Sequence, residues 1–325
     1  MAESSPGGRR FPRWLKNALG VIVVGASFYF LVSRLVQDWH RIPFAELRFR
    51  PLPLVASYVL FLGFHYPLIA WGWLLILRGL GERISTRRSL AIITVTQIGK
   101  YIPGKVWFAL GRIGMANREG VSRTKGLVSI FIETGFSLLA AIVLFAVAVL
   151  FVPRSVVPAR VYYLFALAPL SLVVAYPPVL NRLLAFLLRR LKRPVFRLDV
   201  SYPQLLLILF VYCLDWFFHG LGSYALLNSF YPLGPATLPV IIGGYAVSWI
   251  LGFLALVAPA GLGVREGIYT FVVRMVMPGP MAIVSSLLTR VWTSIGEVAM
   301  ALAFAIVLSK RRKHGEEETP GDTSG

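Results

Sequence analysis

The stretch from Gln97 to Arg112, QIGKYIPGKVWFALGR, narrows the possible folds more than any other. It lies in a long apolar run yet holds Lys100, Pro103, Gly104 and Lys105. The core helix of a water-soluble protein does not tolerate Pro-Gly-Lys at its centre. An unbroken membrane span does not either, because proline removes a backbone donor and lipid offers no replacement partner. The sequence therefore predicts a helix that enters a membrane, breaks at Ile102-Pro103-Gly104 and restarts. A second stretch, Pro259 to Gly267 (PAGLGVREG), repeats the character: a Pro/Gly break in apolar sequence, then a cation, Arg265.

Composition agrees with a membrane setting. Of 325 residues 57% are hydrophobic and only 14% charged, with a mean hydropathy of +0.72. Those values describe a polytopic membrane protein. The net charge of +19 would suggest a nucleic-acid partner in a soluble chain. Here the basic residues cluster between apolar runs, as cytoplasmic loops near anionic headgroups do, so no nucleic acid is expected. The single Cys213 makes no intrachain disulfide and no thiolate metal site. His40, His65, His219 and His314 are scattered without metal-ligand spacing. No catalytic constellation is found, so the expectation is no metal, no cofactor and no enzyme.

In chain order, the spans are expected at Leu19–Val36, Leu52–Leu77 with a kink at His65-Tyr66-Pro67, Gly126–Val152, Val161–Leu180, Leu205–Phe230 and Met281–Leu308. The segments at 78–88, 112–125 and 182–197, the N-terminus and the Lys310-Arg311-Arg312-Lys313 run are basic. Both termini and those loops are therefore placed in the cytoplasm. The connection at 38–50 fits this poorly, since it carries Arg41, Arg48 and Arg50 on the outer side.

Parity then decides the broken stretches. Both flanks of Ser89–Gly111 are cytoplasmic, so the chain must go in and come back. Two full spans need about 40 residues, and 23 are present, so this is a re-entrant hairpin. Leu238–Met277 is either a hairpin from the outer face or two short spans. Broken elements entering from opposite faces are what an inverted repeat produces, here about Pro51–Leu150 and Pro203–Leu308. The fold class expected is an all-α polytopic membrane protein of about six full spans plus two broken or re-entrant helical hairpins, arranged as an inverted repeat. Its domain covers residues 15–308, flanked by disordered segments at 1–14 and 309–325.

The chemistry is expected at the breaks. A restarting helix has free amide groups and a positive dipole end, and a cation beside it completes an anion site. Lys105 and Arg265 hold those positions, with Gly104 and Gly263 in the turns and Arg112 beyond the first. The alternative is that Lys105 and Arg265 satisfy carbonyls or pair with Glu133, Glu266 or Glu297. Ionisable residues in spans are costly, which makes Glu133, Glu266, Arg290, Glu297, Asp215 and His219 an intramembrane charge network. Seven-residue spacing puts Arg290 and Glu297 on one face, as a pair. Four-residue spacing does the same for Asp215 and His219, which could pair or relay a proton.

The run YIPGKVWFALGR, Glu133 in SIFIETGFSLLA, PAGLGVREG, and TRVW from Thr289 together resemble the flippase-like transmembrane domain of lysylphosphatidylglycerol synthetases and their stand-alone relatives. The resemblance covers about residues 15–308. It implies a multi-pass protein of the bacterial or archaeal cytoplasmic membrane, whose aminoacylated relatives move a charged phospholipid between leaflets. Where many relatives carry Gly-Glu after the break, this chain has Trp107 and Phe108. Where many carry Glu-Arg, it has Glu133-Thr134. With no soluble synthase domain in the sequence, lysylphosphatidylglycerol synthesis is not expected.

Three functions compete. The first is a translocase for an anionic phospholipid or a polyprenyl-phosphate-linked glycolipid in envelope synthesis. The second is a non-transporting partner of envelope biosynthesis enzymes. The third, a membrane glycosyltransferase, would need paired acidic residues in the first outer loop, where only Asp38 and Glu46 are found.

Overall fold

A computed structural model describes residues 48–101, 107–152, 159–190, 192–255 and 263–317. The described residues are helical, with no strand among them. The expected first span at Leu19–Val36 and the first break, with Gly104 and Lys105, lie outside them.

Ten helices follow in order. α1 is Pro51–Gly79. It widens at Phe61–His65 into a π-helical turn. Pro67 explains the kink expected there: without an N–H it leaves a carbonyl one turn back unpartnered, and a wider turn absorbs the mismatch. The first hairpin has α2, Thr86–Thr96, ending in a tight turn at Gln97–Tyr101, and α3, Trp107–Arg118. α4 is Arg123–Leu150. A 3-10 segment at Ala159–Ala166 leads into α5, Leu167–Val174, and α6, Pro177–Arg190. α7 is Tyr202–Phe230. The second hairpin has α8, Leu238–Leu254, and α9, Val264–Val273. α10 is Gly279–Glu317.

Several boundaries differ from expectation. The single span at Val161–Leu180 is instead a pair, α5 and α6, bent by 72°. Pro177-Pro178 has no amide proton to continue α5, but proline suits the first positions of a new helix. The basic loop at 182–197 is thus half helical, with Arg182, Arg189 and Arg190 on α6. The basic loop at 112–125 shrinks to a turn, because α3 runs on to Arg118 and buries Arg112. α10 passes the expected end at Leu308 and continues to Glu317. Lys, Arg and Glu are good helix formers, so the helix persists after the apolar sequence stops. Of the six full spans expected, four are unbroken here: α1, α4, α7 and α10 to Ile306.

The two halves are related by exchange. α1 and α7 run antiparallel: the Arg50 amide donates to the Ser229 carbonyl at 2.7 Å, and Gly79 at the other end meets Val200. Each half is a long helix, a hairpin and a second long helix. α10 of the second half packs on α2, and α4 of the first half packs in the same way on α8. Equivalent helices of opposite direction form an inverted repeat.

The hairpins enter from opposite faces. Arg88 pairs with Glu119 and Lys125 with Glu82, so the base of the first hairpin sits at the face where α1 ends. The second hairpin starts at the other face, where Gly243 touches Ala148 near the end of α4. α9 has ten residues, about 15 Å of helix, half a hydrocarbon core. Val272 packs against Gly244, so α9 folds back along α8. The second broken element thus joins a long arm, since Pro235–Leu254 is itself long and apolar enough to cross a membrane, to a short returning one. Arg50, which fitted an outer loop poorly, donates to Asn228 Oδ1 at 2.8 Å. Its charge sits at the negative end of α7, where a cation is stabilised.

Between helices, small residues and hydroxyls do the packing, since lipid tails supply no hydrophobic drive. Trp73 Nε1 donates to Ser129 Oγ at 2.9 Å and Trp216 Nε1 to the Ser137 carbonyl at 2.9 Å. Gly99 is required by the first hairpin: a Cβ there would stand 2.6 Å from the backbone nitrogen of Phe108.

Candidate functional site

The tips of the hairpins and the middles of α1, α4, α7 and α10 enclose a cavity of about 280 Å³. Of the residues singled out in the sequence, Arg265, Glu133, Glu297, Asp215 and His219 line it together. Arg112, Glu266 and Arg290 stand in the shell behind it, while Lys105 and Gly104 are outside the described residues.

The partners are not those the spacing suggested. Glu297 pairs with Lys100, which the tight turn after α2 carries across from the other half. Arg290 Nε faces Glu266 Oε1 at 3.7 Å. The expected Arg290–Glu297 pair is thus replaced by two pairs to the hairpins. Seven residues of helix separate two groups by about 10 Å along the axis, twice the spacing at which helical neighbours meet. Asp215 and His219 do not pair either. Asp215 Oδ1 lies 2.6 Å from His65 Nδ1, and His219 Nε2 lies 2.5 Å from the Tyr245 hydroxyl. The π-helical turn places His65 on α7, a contact that no sequence spacing reveals.

Arg112 is held on several sides. Its side chain is 1% exposed and paired with Glu133. Its guanidinium lies 4.3 Å from the Phe108 ring centre and 5.6 Å from that of Trp73. A cation between two aromatic faces in a desolvated setting gains on the order of 2 kcal/mol from them. Its Nη2 is buried without a hydrogen-bond partner among the described residues.

Arg265 is held differently. Gly263, at φ +82°, turns the chain into α9 in a conformation open to glycine. The Gly263 amide donates to Glu266 Oε2 at 2.6 Å, so Glu266 caps its own helix. Arg265, one residue earlier, points elsewhere: its guanidinium lies 4.7 Å from the centre of the Tyr245 ring. Among the described residues it forms no salt bridge, because Glu133, Glu266 and Glu297 are taken by other cations.

The described charges in and beside the cavity balance. Lys100, Arg112 and Arg265 stand against Glu133, Asp215 and Glu297. The cationic pocket expected from the sequence is, over these residues, a polar pocket of matched charge. Its other wall is aromatic, with Phe108, Trp216, Trp249 and Phe253. Trp249 and Phe253 stack with centroids 5.3 Å apart, and Phe253 is exposed on the outer surface. The Tyr212 hydroxyl, buried in this lining, has no hydrogen-bond partner among the described residues.

The sequence model of the lysylphosphatidylglycerol synthase transmembrane region matches residues 17–301. The chain belongs to that family. It is a multi-pass membrane protein built on a lysylphosphatidylglycerol synthase transmembrane region. No curated protein matches the chain.

Of the described part of the second break, Arg265 lines the cavity, while Glu266 turns back to cap α9. Lys100, His65 and Tyr245 were not among the expected site residues. Lys100 was visible as a charge in an apolar run. Tyr245 carried no signal, since a tyrosine in a span is ordinary.

Proposed function

We propose that this protein moves an anionic lipid, a phospholipid or a polyprenyl-phosphate-linked glycolipid, between leaflets of the bacterial or archaeal cytoplasmic membrane. Both termini then lie in the cytoplasm, where the basic segments place them. The observation that carries this reading is Arg265, a cation at the tip of a hairpin that lines a cavity and makes no salt bridge among the described residues. A buried cation of that kind favours an anion as its partner. The cavity volume suits a headgroup and not its acyl chains. The exposed Phe253 beside the stacked Trp249 supports a side opening through which the chains stay in the bilayer. Inverted halves supply the two exchangeable arrangements that alternating exposure requires.

The protein acts here as a transporter and not as an enzyme: its buried carboxylates serve ion pairs and a histidine. Partners are the membrane lipids themselves, with envelope biosynthesis enzymes upstream or downstream. The exposed arginines of α6 suit an anionic bilayer surface. The test is proteoliposomes carrying fluorescent phosphatidylglycerol or a polyprenyl phosphate, with dithionite quenching as readout. The parent moves one of them, and Arg265→Gln slows that movement by about tenfold or more, the loss of roughly one charge-assisted hydrogen bond. Equal rates in the two proteins sink the anion site and favour a non-transporting partner role.

A further inference from the structure

Three ion pairs absorb most of the buried charge: Lys100–Glu297, Arg112–Glu133 and Arg290–Glu266. Among the described residues of the cavity, Asp215 and Arg265 are left without an oppositely charged Lys, Arg, Asp or Glu partner. Two hydrogen-bonded pairs in ring contact lie between them. Asp215 Oδ1 lies 2.6 Å from His65 Nδ1. The His65 and His219 rings meet edge to face, centroids 4.7 Å apart. His219 Nε2 lies 2.5 Å from the Tyr245 hydroxyl, and Arg265 sits over the Tyr245 ring. His65 comes from the first half and the other four from the second, so the cluster spans the repeat boundary.

The electrostatics of this cluster has a consequence. In a poorly solvated cavity an uncompensated charge is expensive. With the site empty, the positive Arg265 offsets the negative Asp215. A bound anion takes over Arg265 and leaves Asp215 in excess by one negative charge. A proton on the histidine facing Asp215 restores neutrality. The groups that bear on that histidine are Tyr212, Asp215 and His219 from α7, Tyr245 from α8, Arg265 from α9, Lys100 from the turn after α2, Glu297 from α10 and Glu133 from α4. Lys100, Glu297 and Glu133 are already neutralised in pairs.

We infer that the His65–Asp215 and His219–Tyr245 pairs form a proton-binding site linked to the anion site at Arg265, so that about one proton accompanies each anionic headgroup. This rests on the reading of Arg265 as the headgroup site. The proton comes from water and binds an imidazole nitrogen, and no other bond changes. By linkage, protonation tightens anion binding as much as the anion tightens proton binding.

The experiment is calorimetric titration of dihexanoyl phosphatidylglycerol into the purified full chain in detergent, in two buffers of different ionisation enthalpy. Proton uptake near one per lipid is expected at neutral pH. Zwitterionic dihexanoyl phosphatidylcholine gives none. Asp215→Asn removes the charge that needs compensation, and this variant still binds lipid but takes up no proton. His65→Gln behaves in the same way and serves if Asp215→Asn does not fold. Lipid binding by the parent without proton uptake overturns the coupling and leaves the headgroup site standing. Uptake undiminished in both variants overturns it as well. A parent that binds neither this lipid nor citronellyl phosphate overturns the headgroup site and the coupling with it.

Discussion

The two hairpins share an architecture and use their charges in opposite ways. In the first, the returning arm carries Arg112 and the next long helix carries Glu133. In the second, the returning arm carries Glu266 and the next long helix carries Arg290. The pair recurs with its signs exchanged, but not with equal quality. Arg112 is in direct contact with Glu133 and packed between two aromatic faces. Arg290 and Glu266 stand 3.7 Å apart beside a void of about 10 Å³, the size of one water, and Glu266 Oε1 has no hydrogen-bond partner among the described residues. Lys100 of the first hairpin reaches a carboxylate of the other half, whereas Arg265 of the second, among the described residues, lies over a tyrosine ring and forms no salt bridge. The first hairpin is locked and the second presents its charge. Inverted repeats start from equivalent geometry, so this asymmetry comes from side chains and can be tested one at a time.

The largest effect should come from the lock. Arg112→Ala leaves Glu133 uncompensated at 14% side-chain exposure, which should cost about 3–5 kcal/mol, with the double variant Arg112→Ala/Glu133→Ala recovering part. Thermal unfolding in detergent measures both, and an Arg112→Ala protein as stable as its parent would remove the difference between the hairpins. Lys100→Gln comes next, at about 2 kcal/mol, because Lys100 is partly exposed while Glu297 is buried. A double-mutant cycle with Glu297→Gln should show coupling, and strict additivity means the halves are not tied there. Gly263→Ala forces a side chain into positive φ and should cost about 1–2 kcal/mol. No cost would mean that the turn into α9 relaxes freely. Arg265→Gln should change stability least, by about 0.5–1 kcal/mol from the lost contact with Tyr245, although lipid movement falls. A loss of stability as large as that of Arg112→Ala would make Arg265 a structural cation, and the contrast would disappear.

Much of the fold was legible because membranes impose few rules and impose them strictly. Length and hydropathy located the long helices, and proline marked the wide turn in α1. What misled were helix ends and loops. α3 and α6 continue through arginines that a charge rule assigns to loops, since a helix can carry its cations on a face that points inward or to a surface. For the site, asking which charges sit in apolar sequence picked out five residues that line one cavity. Their partners were not legible. Spacing of four or seven reports a shared face on one helix, and the pairs that formed, His65–Asp215, Lys100–Glu297 and Arg112–Glu133, all join different elements.

The sequence by itself determined that the chain crosses a membrane several times, that two of its apolar stretches are broken, and that ionisable groups are buried there. Those are properties of transfer from water to lipid, and each residue carries its share wherever it sits. Only the tertiary structure decided which charge neutralises which, and so which cation is left to present. Pairing depends on distances of a few ångströms between helices far apart in the chain. Those distances are set by the widened turn that aims His65, the close approach at Gly99 and the left-handed turn at Gly263.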